Sequence, residues 1–441
     1  MKSVPMNIKN VWSLRVLLFL FFTTITPIFA ADFPLTWNIS ERMPEGVMAS
    51  ATVCAYDLCY IIGGAVARKG IGPAEWDWSC ISNTTSINIT TGERNYDLAP
   101  TIKGRCFGRA AIVFDQPDID PLHYYIYLFS GQQAVELSNP DGDYSAVPYI
   151  ERYDPYADYW ELVENADMPT CYNPNHSDRS YWKPGGGVAH ATSVVVNTTI
   201  FVFGGGHYTN NEVMGTTRCT FVLETANPNP TWAIVNSVGG DTMPYKTANA
   251  AAGIFNNTIY MVGGTSCPYY TQRNINCSVS NDDDSTEESS PYNHTLIFDY
   301  SAGLARANGN IQNINWTEPG TAVWKDINIP LTVPRDGLEM IIDNNNGYMV
   351  TLGGYFEETV GTAEIFNGTN WLLATPLYQE RVYPGAASVT YPDNSFGKTW
   401  LKNYHAKGQA VPIGIVVGGY PYTAGPDLPL SEVEYLMSSS N

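Results

Sequence analysis

The hydrophobic pattern of the chain is set by short apolar segments that end on glycine. Six such segments stop at a glycine pair or at Ser-Gly, and the first residues of these pairs lie 67, 74, 59, 90 and 65 positions apart. Short apolar runs bounded by glycine are typical of buried β-strands. The segments are LCYIIGG, YYIYLFSG, NTTIFVFGGG, NTIYMVGG, GYMVTLGG and IGIVVGGY, with the first residue of each pair at Gly63, Ser130, Gly204, Gly263, Gly353 and Gly418.

Each glycine segment belongs to a longer unit of four strands. A strand of small residues precedes it, an acid–apolar–aromatic strand follows it in several units, and a tryptophan strand comes last, at Trp160, Trp232, Trp324 and Trp371. Four short strands cannot bury both faces of their sheet alone, so the units must pack against one another. A ring of such sheets leaves only short edges. The glycine pairs would allow a tight turn or a close approach to the next sheet.

The order of apolar strand, Gly-Gly, tyrosine and tryptophan resembles the kelch repeat across essentially all of residues 31–441. This resemblance implies an all-β fold, a six-bladed kelch-type β-propeller. The sequence departs from the pattern at Ser130, which replaces a first glycine, and at Tyr96, which stands where the first unit would have its tryptophan. The motif is specific for the architecture and says little about chemistry.

The two ends of the chain indicate how the ring closes. The last unit stops at SEVEYL, after its third strand, and a tryptophan strand, FPLTWNI with Trp37, stands near the N-terminus. We therefore expect the N- and C-terminal strands to share and close the last blade. The alternative is a loose N-terminal strand beside an incomplete blade.

The first thirty residues are typical of a secretory signal peptide. Three basic residues precede the apolar run VLLFLFF, and small residues follow it, with cleavage after Ala30 as the first choice and after Ala31 as the second. An uncleaved anchor is the less favoured alternative, because the run is shorter than the ~20 residues that span a bilayer. The sequence thus predicts a signal peptide at 1–30 and a single propeller at 31–441. We expect a secreted protein with no membrane span after cleavage.

The chain is strongly acidic. Its formal net charge is −20, and removal of residues 1–30, which hold three basic and no acidic residues, would make it −23. A chain of this charge repels nucleic acid and anionic membranes, so we expect neither among its partners.

Cysteines and glycosylation sequons both favour an extracellular protein. The eight cysteines predict disulfides. Cys54 could pair with Cys59 across a hairpin and Cys267 with Cys277 within one loop. Cys80–Cys106 and Cys171–Cys219 are the simplest remaining pairs, although the sequence alone leaves the connectivity open. The Asn-x-Ser/Thr sequons, which predict a glycoprotein, begin at Asn38, Asn83, Asn88, Asn175, Asn197, Asn256, Asn276, Asn293, Asn315 and Asn367.

Long insertions mark one face of the predicted propeller. Most of them follow a glycine pair, between the second and third strands of a unit, and such loops emerge on the same face. That face is the candidate binding surface, because loops on a rigid scaffold carry function. The insertion NSFGKTWLKNYHAKGQA instead joins the first two strands of the last unit and is predicted to be a loop on the opposite face. Tolerated, functionless insertions are the alternative for any single loop.

Basic residues stand shortly before the inner strand in several units, as they often do in kelch repeats. We predict that they ring the axial mouth and bind an anionic group on a sugar or a protein. His190 of the segment VAHATS is predicted to line the channel as a further ligand-binding residue, where its imidazole could take a metal or acid–base role. The alternatives are that each base pairs with a neighbouring acid such as Asp336, Glu380 or Glu41, and that His190 is a packed core residue. The predicted basic residues are Arg42, Arg109, Lys246, Arg335 and Arg381.

No metal or cofactor site is predicted. The other histidines show no ligand spacing, and the sequence holds no constellation like that of the galactose oxidase-like copper enzymes. The iron motif Glu-x3-Asp-x3-His of plant specifier proteins begins at Glu93 and at Glu339, but its histidine is replaced by Thr101 and Gly347.

We therefore favour an extracellular protein- or glycan-binding module over an enzyme. The alternative is a carbohydrate-active enzyme, sialic acid mutarotase-like or galactose oxidase-like, with its site at the axial mouth.

Overall fold

The described residues all lie within one compact unit, Pro34–Asn441. The predicted signal peptide lies outside the described residues. The computed structural model describes residues 35–69, 76–134, 144–169, 171, 186–209, 212–235, 243–266, 292–344, 346–356, 358–406, 410–421 and 428–438.

The fold is all-β with few helices. The described residues form 32 strands, two α-helices and one 3-10 helix. The helices are α1 (Ser301–Arg306), α2 (Ser395–His405) and the 3-10 helix Ile311–Asn313. The strands are β1 (Leu35–Ile39), β2 (Ala51–Ala55), β3 (Leu58–Ile62), β4 (Ala65–Lys69), β5 (Trp76–Cys80), β6 (Thr84–Asn88), β7 (Arg94–Leu98), β8 (Arg109–Val113), β9 (Tyr125–Phe129), β10 (Gln132–Ala134), β11 (Tyr144–Ala146), β12 (Glu151–Asp154), β13 (Tyr159–Leu162), β14 (Thr192–Val196), β15 (Thr199–Phe203), β16 (Gly206–Thr209), β17 (Glu212–Thr216), β18 (Thr220–Glu224), β19 (Trp232–Ile234), β20 (Ala251–Phe255), β21 (Thr258–Val262), β22 (Thr295–Asp299), β23 (Val323–Asp326), β24 (Glu339–Asp343), β25 (Tyr348–Leu352), β26 (Tyr355–Phe356), β27 (Glu358–Thr359), β28 (Ala363–Phe366), β29 (Trp371–Ala374), β30 (Gly385–Thr390), β31 (Val411–Val417) and β32 (Val433–Ser438).

Antiparallel pairing groups the strands into sheets that follow the sequence units. Among the described residues, four sheets have four strands each, in the orders β13-β12-β9-β8, β14-β15-β18-β19, β20-β21-β22-β23 and β24-β25-β28-β29. Each runs from the small-residue strand through the glycine-ending strand to the tryptophan strand, as the sequence predicts. Four short hairpins, β4–β5, β10–β11, β16–β17 and β26–β27, form separate two-stranded sheets.

The remaining strands form one eight-stranded sheet with two halves. Its order is β1-β32-β31-β30 followed by β2-β3-β6-β7. The halves join through a short parallel pairing of Cys54 with Val389 and Ala55 with Thr390. Within the first half, β1 from the N-terminal side of the chain pairs antiparallel with β32 from the C-terminal side, and Trp37 lies opposite Leu436. The overall arrangement of sheets is that of a β-propeller.

The hydrophobic core lies between neighbouring sheets. One buried cluster joins β14, β15 and β18 to β20 through β23, where Phe203 packs 5.6 Å from Phe298 and 5.0 Å from Trp324 between ring centroids. Similar clusters fill the spaces between the other sheets. Burial of aromatic rings on this scale is the largest stabilising contribution available to a sheet with two apolar faces.

Tryptophan side chains on the tryptophan strands donate hydrogen bonds to the preceding sheet. Trp324 donates its indole N–H to Thr220 Oγ1 at 3.0 Å, and Trp371 donates to Thr295 Oγ1 at 2.9 Å. Trp37 makes the corresponding bond to the carbonyl oxygen of Thr375 at 3.0 Å. The N-terminal strand β1 therefore contributes the tryptophan of the sheet that holds the last sequence unit.

The glycine pairs allow two sheets to come into backbone contact. A Cβ atom on Gly63 would lie 2.3 Å from the carbonyl oxygen of Arg105, and one on Gly418 would lie 1.9 Å from that of Val47. Both glycines have a φ near +60°. No side chain fits that space at that dihedral, so a link from the next sheet can pass directly across the end of the strand.

The first, small-residue strand of each unit is its inner strand, and we call the segment that leads into it the link. The six links are joined by a closed cycle of six backbone hydrogen bonds. One residue of each link donates its N–H to the carbonyl of the preceding link, at 2.8–3.3 Å, and the first link returns to the last. All six residues have φ between 52° and 64°. The cycle runs from Ala49 to Tyr383, Gly337, Asn249, His190, Phe107 and back to Ala49.

The segment predicted to be a loop between the first two strands of the last unit is instead largely helical. Asn394 caps α2 by accepting a hydrogen bond from Gly397 N at 2.9 Å. Tyr404 is buried, and Trp400 stacks on it at 4.8 Å. The cap and this aromatic face stabilise a helix that the sequence pattern did not reveal.

Three of the four suggested disulfides are present among the described residues. They are Cys54–Cys59, Cys80–Cys106 and Cys171–Cys219. Cys267 and Cys277 lie outside the described residues. Within the described ranges, no helix has both the length and the apolar character to cross a membrane.

Replacing Trp37 by alanine should lower the free energy of unfolding by about 3–5 kcal/mol, because the buried indole leaves a cavity and the Thr375 carbonyl loses its donor. Urea denaturation followed by circular dichroism measures this. Thr36→Ala, at the neighbouring exposed position of the same strand, is the matched control and should change stability by less than about 0.5 kcal/mol. Equal, small effects of the two substitutions would mean that β1 does not hold the sheet together.

Candidate functional site

The hairpins and the links meet on one face of the molecule, which we call the hairpin face. The link residue before each member of the hydrogen-bonded cycle bridges to the residue that follows a glycine pair, as in Asp336–Tyr355 and Val382–Tyr420. The Cys80–Cys106 disulfide ties strand β5 to a link in the same way. Neighbouring hairpins also touch, since β5 contacts β10 and β11 contacts β16. The hairpins of the first three units therefore form a connected surface, and the bridges attach the hairpin face to the links.

Aromatic side chains line this face at intermediate exposure. Tyr355, Phe356 and Tyr420 directly follow glycine pairs and are half-buried. Tyr355 and Tyr420 pack against a buried apolar cluster around the links, which includes Phe107 and Tyr383. Half-buried rings of this kind present a rigid apolar surface with a polar edge, which suits contact with a sugar ring or a protein.

A second aromatic group lies where the fourth unit begins its third strand. The imidazole of His294 stacks on Tyr245 at 4.2 Å, and Tyr292 lies 5.7 Å from Tyr245. His294 Nδ1 also lies 3.0 Å from Asp326 Oδ2. The three rings are half-buried and form a second apolar patch on the hairpin face.

The centre of the cycle holds a chain of polar side chains. His190 Nδ1 lies 2.7 Å from Asn249 Oδ1, and the Asn249 amide donates to Asp336 Oδ2 at 3.4 Å and to the Tyr383 hydroxyl at 3.3 Å. Phe107 stacks on the His190 ring at 3.9 Å. These side chains are all at least nine-tenths buried, so the axis at this level is filled by protein atoms.

Burial shifts the protonation of this axial cluster in opposite directions at its two ends. Loss of solvent lowers the pKa of His190 to about 3, with the charge of Arg109 as a smaller cause, so the imidazole is neutral at physiological pH. Loss of solvent also raises the pKa of Asp336 to about 7. Asp336 Oδ1 has no hydrogen-bond partner among the described residues. Burial thus favours the protonated form of Asp336 and the neutral form of His190.

An ion pair crosses the axis next to the polar cluster, at the level where the inner strands begin. Arg109, at the start of β8, pairs with Glu339, at the start of β24, and these inner strands belong to the second and fifth sequence units. The Arg109 guanidinium also donates from Nε to the Ala191 carbonyl at 2.6 Å. Burial raises the pKa of Glu339, and Arg109 opposes that rise. The cation predicted to meet a ligand is thus held by a carboxylate of the same protein.

Arg335 and Arg381 do not line the mouth. Both are fully buried, and they pair with Glu364 and Glu434 respectively, on the third strands of their own sheets. The acids are not the sequence neighbours named as alternatives, Asp336 and Glu380. Arg335 also donates to the Gly353 carbonyl at 3.2 Å, and its own carbonyl accepts from Gly264 at 2.9 Å. Each arginine therefore joins two sheets.

The other predicted basic residues lie apart from one another. Arg42 has 72% of its side chain exposed and contacts Glu432 Oε1 at 2.8 Å. Lys246 is half-buried, directly before the link residue Thr247. The structure thus brings His190 and Arg109 together near the axis and does not assemble the expected ring of basic groups.

Sequence reasoning missed a third buried arginine and the axial partners. Arg105 pairs with Glu151 at 2.8 Å, in the same way as Arg335 and Arg381 pair with their acids. The signal was present: Arg105, Arg335 and Arg381 each stand four residues before an inner strand, and each pairs with the acid of the acid–apolar–aromatic strand. The other missed residues are Phe107, Asn249, Asp336, Glu339 and Tyr383.

Among the described residues, no group of three or more His, Cys, Asp or Glu side chains is placed to hold a metal ion.

Comparison with known proteins supports the fold alone. No protein-family model matches the chain, and no curated protein sequence matches it. The chain is similar to the solved structure of YjhT, with a TM-score of 0.54 and 12% sequence identity over 89% of this chain and 96% of that one. The likeness supports a β-propeller.

Removing one partner of a buried ion pair should cost far more than removing one partner of a surface pair. Glu364→Ala leaves the Arg335 guanidinium buried without its carboxylate, and we expect a loss of about 3–5 kcal/mol in the free energy of unfolding. Glu161→Ala breaks the Arg152–Glu161 pair, whose side chains are 34% and 41% exposed, and is the matched control, with an expected loss of about 0–1 kcal/mol. Equal small losses would show that Arg335 reaches solvent, as the sequence prediction requires.

Asp336 should make stability fall as the pH rises. The folded chain keeps the carboxyl protonated to about pH 7, whereas the unfolded chain ionises it near its ordinary value of 3.8. The free energy of unfolding of the wild type should therefore fall relative to that of Asp336→Asn between these values, by on the order of 1 kcal/mol per pH unit. In both proteins, the neutral His190 makes stability rise with pH between about 3, its pKa in the folded chain, and 6.5, its ordinary pKa. Parallel stability curves would contradict the assignment.

Proposed function

We propose that residues 31–441, released by cleavage of the signal peptide 1–30, form one six-bladed kelch-type propeller. The two halves of the eight-stranded sheet are joined only by a short parallel pairing. Each half can therefore be counted as one blade, which with the four separate sheets makes six. The cycle of six link residues supports the same number. In this reading, β1 and β32 close the last blade between the two ends of the chain.

We further propose that the protein is secreted, glycosylated and disulfide-bonded. The three disulfides support an oxidising compartment. The basic and apolar leader and the sequons support passage through the secretory pathway.

In this setting, the protein binds an extracellular protein or glycan through its hairpin face. The observation that carries this proposal is the set of half-buried aromatic rings on that face, Tyr355, Phe356 and Tyr420, together with the patch around Tyr292. Tyr355 and Phe356 stand on the hairpin β26–β27, and Tyr355 and Tyr420 each bridge to a link, so binding would not require these rings to be ordered first. No nucleic acid is expected as a partner, because the mature chain is strongly acidic.

The chemistry of the hairpin face favours a sugar or protein surface over a simple anion. Arg335, Arg381, Arg109 and Arg42 are each paired with a glutamate of the protein, so a carboxylate on a ligand would have to compete with that glutamate. Aromatic stacking therefore supplies most of the expected affinity.

A carbohydrate-active enzyme at the axial mouth is the second candidate. It is favoured by the hydrogen-bonded chain from His190 through Asn249 to Asp336, whose carboxyl has a pKa of about 7. A carboxyl that titrates near neutrality can act as a general acid or base on a sugar hydroxyl. Near-complete burial of these side chains is the observation against it.

One set of proteins tests both candidates. The secreted wild type is applied to an array of immobilised neutral and acidic oligosaccharides, and the Tyr355→Ala and Tyr420→Ala variants are compared with it. We expect each variant to lose at least about tenfold in affinity, since one anchoring aromatic residue contributes about 2 kcal/mol or more at an interface. Tyr159→Ala removes a ring that is 58% exposed on β13, and this control should bind as the wild type does.

The same protein is assayed by NMR for interconversion of the anomers of an acidic sugar. Acceleration that is lost in Asp336→Asn, with no effect of the tyrosine substitutions, would replace the binding role by the enzymatic one. If Tyr159→Ala weakens array binding as much as the other two variants do, the hairpin face is not the binding surface.

A further inference from the structure

We propose that four asparagines on the face opposite the hairpins, Asn197, Asn256, Asn315 and Asn367, carry N-linked glycans and together cover one side of that face. Each begins an Asn-x-Thr sequon, and each is exposed. The inference rests on the secretion proposed above, because the transfer reaction takes place in the secretory pathway.

The topology places the four sites on the same face. Asn197 lies in the turn between β14 and β15, and Asn256 lies in the turn between β20 and β21. Strands β15 and β21 then run from these turns to glycine pairs on the hairpin face, so the turns lie at the other end. Asn367 joins β28 to β29 and Asn315 lies between β22 and β23, in connections that begin where the third strands end on that same face.

Side-chain contacts bring the four sites together. Gln312 donates to Thr198 Oγ1 at 2.9 Å, which places the segment of Asn315 beside the turn of Asn197. Phe255, next to Asn256, lies 5.9 Å from Phe366, next to Asn367. The inner strands β14 and β20, which lead into the first two turns, are themselves in contact. The sites therefore form one contiguous group over the third to fifth sequence units.

The local geometry of the turns is compatible with modification, and at two of the sites the turn uses only the side-chain oxygen. Oδ1 of Asn315 accepts from the Thr317 hydroxyl, and Oδ1 of Asn367 accepts from the Thr369 hydroxyl, both at 2.8 Å, so these turns use the oxygen and not Nδ2. Asn197 and Asn256 sit at φ of 55° and 48°. Asparagine adopts this left-handed conformation more readily than most residues, and the tight turns hold the side chains at the surface.

The other described sequons differ from these four. Asn88 is half-buried and donates Nδ2 to Asp57 Oδ2 at 3.3 Å. Asn293 is half-buried on the hairpin face, and Asn38 and Asn83 are exposed but lie apart from the group.

The modification itself is a simple substitution. The Asn Nδ2 atom forms a bond to the anomeric carbon of a lipid-pyrophosphate-linked oligosaccharide, and the lipid pyrophosphate leaves with the electron pair of the broken C–O bond. One amide proton is released, and no oxidant or reductant is needed. Four such glycans would exclude a protein partner from this side of the molecule and leave the hairpin face open.

The test is peptide mass spectrometry of the full chain secreted from eukaryotic cells. Treatment with a peptide-N-glycosidase in ¹⁸O-water converts each glycosylated asparagine to ¹⁸O-labelled aspartate. We expect the label at all four positions. N197Q, N256Q, N315Q and N367Q should each remove one step of electrophoretic mobility that the glycosidase also removes. N313Q, at an exposed asparagine outside any sequon two residues from Asn315, is the matched control and should migrate like the wild type.

The outcomes separate this inference from the proposed function. A secreted chain with unlabelled asparagine at two or more of the four positions would overturn the glycan cluster and leave the binding role intact. A chain that keeps residues 1–30 and never enters the secretory pathway would overturn both.

Discussion

The structure depends on the closed cycle of backbone hydrogen bonds that joins the links. Each of its six residues adopts a left-handed conformation, and only Gly337 is a glycine. The conformation costs about 1–2 kcal/mol at Ala49, Phe107, His190 and Tyr383, so local preference does not explain it at these residues. The neighbouring backbone holds it in place, because glycine pairs let each link cross the end of the previous sheet. Fixing the links also fixes the hairpins that bridge to them and the side chains that meet on the axis.

Buried ion pairs reinforce three of these links. Arg105, Arg335 and Arg381 each reach from a link to a glutamate in the same sheet, while their backbone carbonyls accept from a glycine of the sheet before. Two charges buried together gain little over apolar packing, but a wrong register would leave both unpaired at a large cost. The pairs therefore specify how sheets are joined more than they stabilise the fold. Their role is structural, and in the function that we propose, recognition falls to the aromatic rings of the hairpin face.

The strands and the turns could be predicted from the sequence because both are encoded locally. Apolar runs, glycine pairs and tryptophan strands recur in a fixed order, whereas the sequence left the disulfide connectivity open, and the structure shows three of the suggested pairs. The arginines could not be placed in this way, since their acids lie 29 to 53 residues away. The sequence prediction treats Arg109 and Arg335 as equivalent, but Arg109 is the first residue of its inner strand, whereas Arg335 stands four residues before its own. The sequence pattern does not predict helix α2, because the cap residue Asn394 and the packed rings of Trp400 and Tyr404 stand in a segment that resembles an ordinary polar insertion.

Hydrogen exchange of the cycle amides tests the central claim most directly. Measured by NMR on the intact protein, the amides of Ala49, Phe107, His190, Asn249, Gly337 and Tyr383 should be among the slowest in the molecule. They should exchange together through global unfolding, because opening one bond releases the strain held by the others. Fast exchange at Ala49 and Phe107 alone would contradict the account, since it would mean that the cycle is open where the first link meets its neighbours.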